Sequence, residues 1–290
     1  MTNNEISTGT NQTQKTSRQL VSELNVIDDI FFHKMVENSE VCQEILRIIL
    51  EDDGLEVIEH HPQDSLKNLQ GRSVFLDVRC RDSAGKYYEV EVQKANDDDH
   101  QRRVRYNGSL LTSATTKVGT DFIEVPDVTI IFISRFDLFR EKRTIYHVKR
   151  CLEETGTFVE NGFHEIYVNT KINDGSDIAE LMGFFEDSTG YHDKFPNLSN
   201  RVRLFKVTEE GVTYMSSVIE NYISDVKEES RREGRKEGRK EGRREGSYTS
   251  VQKLVANRAA ATEKKACEML SVDYDAFLKW KNEQPLDIEQ

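Results

Sequence analysis

The chain reads as an α/β protein built on a mixed central sheet, with the order helix, strand, hairpin, helix, strand. Three observations carry this. Two β-rich runs, at residues 74–78 and 87–92, flank the turn-like stretch Asp82-Ser83-Ala84-Gly85. A continuous apolar run at 126–134 suits a strand buried on both faces. Between the hairpin and that run lies a segment of helical length, so strand, helix and strand form a crossover unit with parallel strands.

Composition bounds the answer. The 290 residues are enough for one generous domain, or one and a half. At 36% hydrophobic and 32% charged, the chain is globular with a very polar exterior. The net charge of −12 argues against a general nucleic-acid coat, but the balance is uneven. Residues 231–246 carry eight Arg or Lys against four Glu, and the remainder of the chain stands at −16. Cys42, Cys80, Cys151 and Cys267 are scattered and form no CxxC pair, so neither a zinc ribbon nor a disulfide framework is expected. No apolar run approaches the ~18 residues of a membrane span, and no signal-peptide core opens the chain. The cytoplasm is the expected compartment, and no membrane partner is expected.

The boundaries expected from composition are a disordered segment at 1–20, rich in Thr, Asn, Gln and Ser, then a main domain at 21–225. A charged linker or helix follows at 226–248, and a small helical segment at 249–290. From Asp28 the apolar spacing is helical: Ile30, Phe31, Phe32, Met35 and Val36, and after Asn38-Ser39 Val41, Ile45, Leu46, Ile48 and Ile49. Ser39 is expected to cap this second helix. Residues 55–60 suit a short strand ending in a turn at Pro62, with His60 and His61 as exposed loop residues lacking the partners a zinc site needs.

The hairpin holds the chemistry. A three-residue loop Ser83-Ala84-Gly85, with Gly85 at positive φ, pairs Asp82 with Lys86 and hence Asp77 with Glu91. Two carboxylates then face each other about 5 Å apart at Cβ, which is unfavourable unless a divalent metal lies between them. A loop one residue shorter pairs Asp77 with Val90 instead. On the second strand Glu89, Glu91 and Gln93 share one face; it is either the solvated outer face of an ordinary strand or a site.

The next helix starts at the acidic run Asn96-Asp97-Asp98-Asp99. Asp98–Arg102 and Asp99–Arg103 are spaced i,i+4, so Arg102, Arg103 and Arg105 form a salt-bridged face, or Arg103 and Arg105 reach a DNA phosphate. Residues 143–148 and 163–169 add two strands, and 175–187 and 212–227 two helices. Residues 231–246 are the tetrads RREG, RKEG, RKEG and RREG. Each Gly costs about 1 kcal/mol in a helix, and only i,i+3 pairs such as Glu233–Lys236 compensate. This segment is a tether, a phosphate-contacting element, or a means of self-association into a homo-oligomer. The last piece, 251–281, is patterned as short helices without a basic recognition helix, hence an appendage rather than a helix-turn-helix.

Asp77 followed by Glu91-Val92-Gln93 resembles the Asp…Glu-x-Lys signature of the PD-(D/E)xK nuclease superfamily. The stretch LDVRCRDSAGKYYEVEVQ is similar to the recombination-promoting nuclease and transposase families within it, whose second motif ends in Glu-x-Gln. Asp29-Ile30-Phe31-Phe32-His33-Lys34 resembles their Asp-x-x-Phe motif. Arg103 to Leu110 resembles their Arg-x-Arg-Tyr-Tyr helix, with Asn107 where a second Tyr is usual. Gly119-Thr120-Asp121-Phe122 and the following strand match in order, so the resemblance covers roughly residues 25–140.

The resemblance implies a restriction-endonuclease-like αβββαβ core and Mg²⁺- or Mn²⁺-dependent DNA hydrolysis. Asp77 and Glu91 are then the metal ligands, and Gln93 stands where a Lys usually orients the attacking water. Asp29 supports its helix through the dipole or, by the resemblance, adds a third acidic group. Two other functions stay open: a nuclease fold that binds DNA or protein without catalysis, and an acidic regulatory domain with no DNA contact.

Overall fold

The computed structural model describes residues 17–67 and 73–283. The elements in order are α1 (Ser17–Glu23), α2 (Asp29–Met35), α3 (Ser39–Leu50), β1 (Val57–Lys67), β2 (Ser73–Asp82), β3 (Tyr87–Gln93), α4 (His100–Thr115) and β4 (Val128–Ser134). Then come β5 (Ile145–Val148), β6 (Arg150–Cys151), β7 (Phe158–Val159), β8 (Phe163–Asn169), α5 (Asp177–Glu186) and α6 (Pro196–Val207). The last helices are α7 (Glu209–Ala256), α8 (Glu263–Leu270) and α9 (Tyr274–Glu283). From α3 to β4 this is the expected αβββαβ succession.

Six strands form one mixed sheet in the order β1-β2-β3-β4-β8-β5. β1, β2 and β3 run antiparallel; β3, β4 and β8 run parallel, the chain crossing from β3 to β4 through α4. β4 is buried along its whole length. Ile131 and Ile133 join Val78, Val90 and Val92 under α2, α3, α5 and α6. Ile130 and Phe132 point the other way, onto Val104 and Leu111 of α4. Gly108 lets α4 lie that close: a Cβ there would meet Phe163 Cε2 at 2.2 Å. The sheet is thus covered by helices on both faces.

The hairpin has the expected register. Asp82 N–H donates to Lys86 O, Gly85 sits at φ +88°, and Val78 pairs with Val90. One step further on, the same register sets Asp77 opposite Glu91.

Several expectations need correction. β1 runs straight through Pro62, so His60 and His61 are strand residues, and His60 Nε2 lies against Val36 O. β1 is the sheet's outermost strand, where a missing N–H is tolerated. Asn38, not Ser39, caps α3, its side chain accepting from Glu40 and Val41 N–H. The boundary at residue 20 falls inside α1; residues 1–16 of the expected disordered segment, like residues 284–290, lie outside the described residues.

The chain divides into two compact units, Met1–Ile219 and Glu220–Gln290. α7 is helical through all four tetrads, with i,i+3 ion pairs Arg232–Glu229 and Arg244–Glu241. In the second unit Tyr248, Val251, Ala266, Cys267 and Phe277 close a small core of their own. All four cysteines are free. Among the described residues no helix is long and apolar enough to cross a membrane.

Candidate metal centre

The polar face of β3 is buried, not solvated. Glu89 is fully buried and Glu91 1% exposed, because α4 lies over them. Buried charge needs partners, and α4 supplies them. Asn107, on its inner face, donates from Nδ2 to Glu89 Oε1 at 2.9 Å and to Glu91 Oε2 at 3.1 Å. Arg103, one turn earlier, brings Nη2 to 2.5 Å from Glu91 Oε1, too poorly aligned to be a hydrogen bond. Its Nη1 donates a long bond of 3.4 Å to Gln93 Oε1. Glu89 Oε2 has no hydrogen-bond partner among the described residues.

Asp77 closes the other side. The β2–β3 ladder ends at Val78↔Val90, and the Asp77 side chain takes over: Oδ2 accepts from Val92 N–H at 2.9 Å. Its Oδ1 lies 3.0 Å from His33 Nε2 on α2, and the same nitrogen is 3.5 Å from Asp29 Oδ1. Gln63, opposite Asp77 in β1 and at φ +52°, donates to His33 Nδ1 at 2.9 Å. In the neutral ring this places the proton on Nε2, aimed at Asp77. Asp29, His33 and Asp77 each offer a ligand atom, all within 4.8 Å of one another.

Charge crowding shows in the acidities. Burial, the charge of Asp77 and that of Asp29 outweigh Arg103 and push Glu91 up to about 7. Burial, then the neighbouring Glu91, lifts Glu89 well above the carboxylate range against the Asn107 bond. Burial also raises Asp29, with Asp77 adding and His33 opposing. For His33, burial lowers the pKa, but the hydrogen bond and charge of Asp77 with the charge of Asp29 prevail and raise it. Asp29, His33 and Asp77 thus form a donor set of two carboxylates and an imidazole that fits a divalent cation; Glu91 lies outside that set of ligand atoms.

The family model for PD-(D/E)XK nuclease family transposases matches residues 28–172, half of the chain. The chain belongs to that family. Comparison with curated proteins and with solved structures found no match.

The matched stretch of this PD-(D/E)XK chain runs from Asp28 to Ile172 and so holds every residue of the site. Asp77 lies with Asp29 and His33, whereas Glu91 and Gln93 are joined to each other through Arg103 and fall outside that group of ligand atoms. Arg103 touches Glu91 and Gln93, whereas the expected pair with Asp99 is absent; Asp99 instead binds Arg102 at 3.0 Å and caps α4. Arg105 is exposed, about 200° around the helix from Arg103, away from the carboxylates. His33, Asn107 and Gln63 were not read from the sequence as site residues. The i,i+4 spacings Asp29–His33 and Arg103–Asn107 were available signals. Gln63 gave none, because its role depends on a left-handed backbone position in β1.

Proposed function

We propose that this chain is a metal-dependent endonuclease that hydrolyses DNA phosphodiesters at the β2–β3 carboxylates. One observation carries the reading: Asp29, His33 and Asp77 offer ligand atoms within 4.8 Å of one another, and the charges of Asp77 and Asp29 reach the buried Glu91, whose acidity they weaken. Asp77 and Glu91 would hold Mg²⁺ or Mn²⁺, with Asp29 beside them. The bound ion would supply charge neutralisation for the phosphorane and a more acidic water.

The chain's own groups do the positioning. Val92 N–H and His33 fix Asp77, and Asn107 fixes Glu91. Gln93, on the same face, is a neutral amide where the superfamily usually has a Lys cation; its Nε2 donates to Ala95 O at 3.1 Å and its Oε1 accepts from Arg103, and one of these bonds would give way for it to orient the attacking water. The water oxygen bonds to phosphorus as the P–O ester bond breaks, the proton that the water gives up ends on the leaving oxygen, and Arg103 at the rim meets phosphate charge.

One observation favours a second reading, a DNA- or protein-binding module without catalysis: a neutral Gln93 held by Arg103 leaves the attacking water without a cationic partner. Plasmid nicking separates the two. The nuclease reading expects nicking with Mg²⁺ or Mn²⁺, none in EDTA and none in Asp77→Ala. Metal-independent nicking, or equal nicking by the variant, refutes it.

A further inference from the structure

Arg103 covers the one oxygen of Glu91 that no other described group contacts. Asn107 holds Oε2; Oε1 has only the Arg103 guanidinium, close but misaligned. The partners differ in setting. The Glu91 side chain is 2% exposed, that of Arg103 38%. The arginine therefore enters from the solvent rim, and its second contact, to Gln93, is a long one. Its helix turn is pinned independently: His100 is buried between Phe132 and Phe136, at ring distances of 5.2 and 5.1 Å, and Asp99 caps the first turn. The side chain can swing out while the backbone stays.

We propose that Arg103 is a resident counter-ion on Glu91 that a divalent metal must displace, which frees its guanidinium at the rim for the DNA. The inference rests on the nuclease reading above. With the Arg103 Nη2 only 2.5 Å from Oε1 and that oxygen otherwise buried, a metal ion at Oε1 requires the guanidinium to move. Without metal, the arginine keeps a buried carboxylate from standing alone. With metal, the same arginine becomes the nearest mobile cation facing solvent. One side chain thus opposes metal entry and assists the later step, and these effects separate in a titration.

The test is calorimetric titration of Mn²⁺ into the full chain without DNA, for wild type, Arg103→Met, Arg103→Lys and Asp77→Asn, with circular dichroism to confirm folding. Arg103→Met is expected to bind Mn²⁺ about tenfold more tightly, the size of effect one opposite charge has on a carboxylate's proton affinity. Arg103→Lys, which keeps the charge, stays within a few-fold of wild type. DNA cleavage by Arg103→Met at saturating Mn²⁺ falls, opposite in direction to its metal affinity. Arg103→Gln repeats the measurement with a polar side chain. Unchanged or weaker Mn²⁺ binding in both neutral variants overturns the inference, and if Asp77→Asn still abolishes binding the nuclease reading survives. If wild type shows no Mn²⁺ binding that Asp77→Asn removes, both fall.

Discussion

Replacing Glu91 by Gln tests the buried carboxylates through stability. Glu91 is held at about 7 against an ordinary 4.5. A carboxylate with a raised folded-state pKa binds its proton more tightly in the folded chain. The stability it contributes is complete below about 4.5 and is lost as pH rises through about 7. A difference of about 2.5 units corresponds to roughly 3 kcal/mol between those limits. Glu91→Gln removes this slope, because the amide does not titrate. The new amide must itself be satisfied where Asn107 already donates, which costs about 1–2 kcal/mol. In EDTA at pH 8 the variant is therefore expected to be more stable than wild type by about 1–2 kcal/mol, with a flatter pH profile between 5 and 8. Mn²⁺ reverses the ranking: wild type gains stability and the variant does not, since only a ligand of the native state stabilises it. The assay is urea unfolding followed by hydrogen exchange of β3 amides. The lone Trp280 is unsuitable, because it packs in the core of the second unit. An equal pH slope in the two proteins, or a variant less stable than wild type at pH 8 in EDTA, refutes the reasoning.

Two further predictions concern Gln93 and the repeat. Gln93→Ala should slow cleavage at saturating metal by about 10²-fold with little change in metal affinity. Gln93→Lys should keep or raise the rate while requiring more metal, since the new cation both stabilises developing charge and repels the ion. An unchanged Gln93→Ala rate removes this residue from the mechanism. Deleting residues 231–246 takes away a net +4 and should lower DNA affinity, with the slope of log affinity against log salt falling by roughly 0.9 for each phosphate that the segment neutralises. An unchanged slope assigns the segment to tethering alone.

The sequence determined the local features by itself. Gly85 and its turn limited the hairpin to two registers, of which the structure took the three-residue loop; the apolar run at 128–133 set a doubly buried strand, and the length between the strands set a parallel crossover. Each rests on neighbours in the chain or on a period of two, so it is legible without a partner. The tetrad repeat was ambiguous because its Gly penalties, about 1 kcal/mol each, exceed the roughly 0.2–0.5 kcal/mol that each i,i+3 pair returns, while its period of four still suits a helix; the structure makes it helix. Only tertiary structure decided what the polar face of β3 is. A Glu-Glu-Gln alternation is identical whether it meets water or α4, and burial of Glu89 and Glu91 follows from Gly108 letting that helix lie close. The same holds for Arg103. Its spacing from Asp99 pointed to a pair on the helix surface, but the fold sets a buried, under-neutralised Glu91 beside it. A buried carboxylate draws a cation more strongly than an exposed one does, because little water remains to screen it.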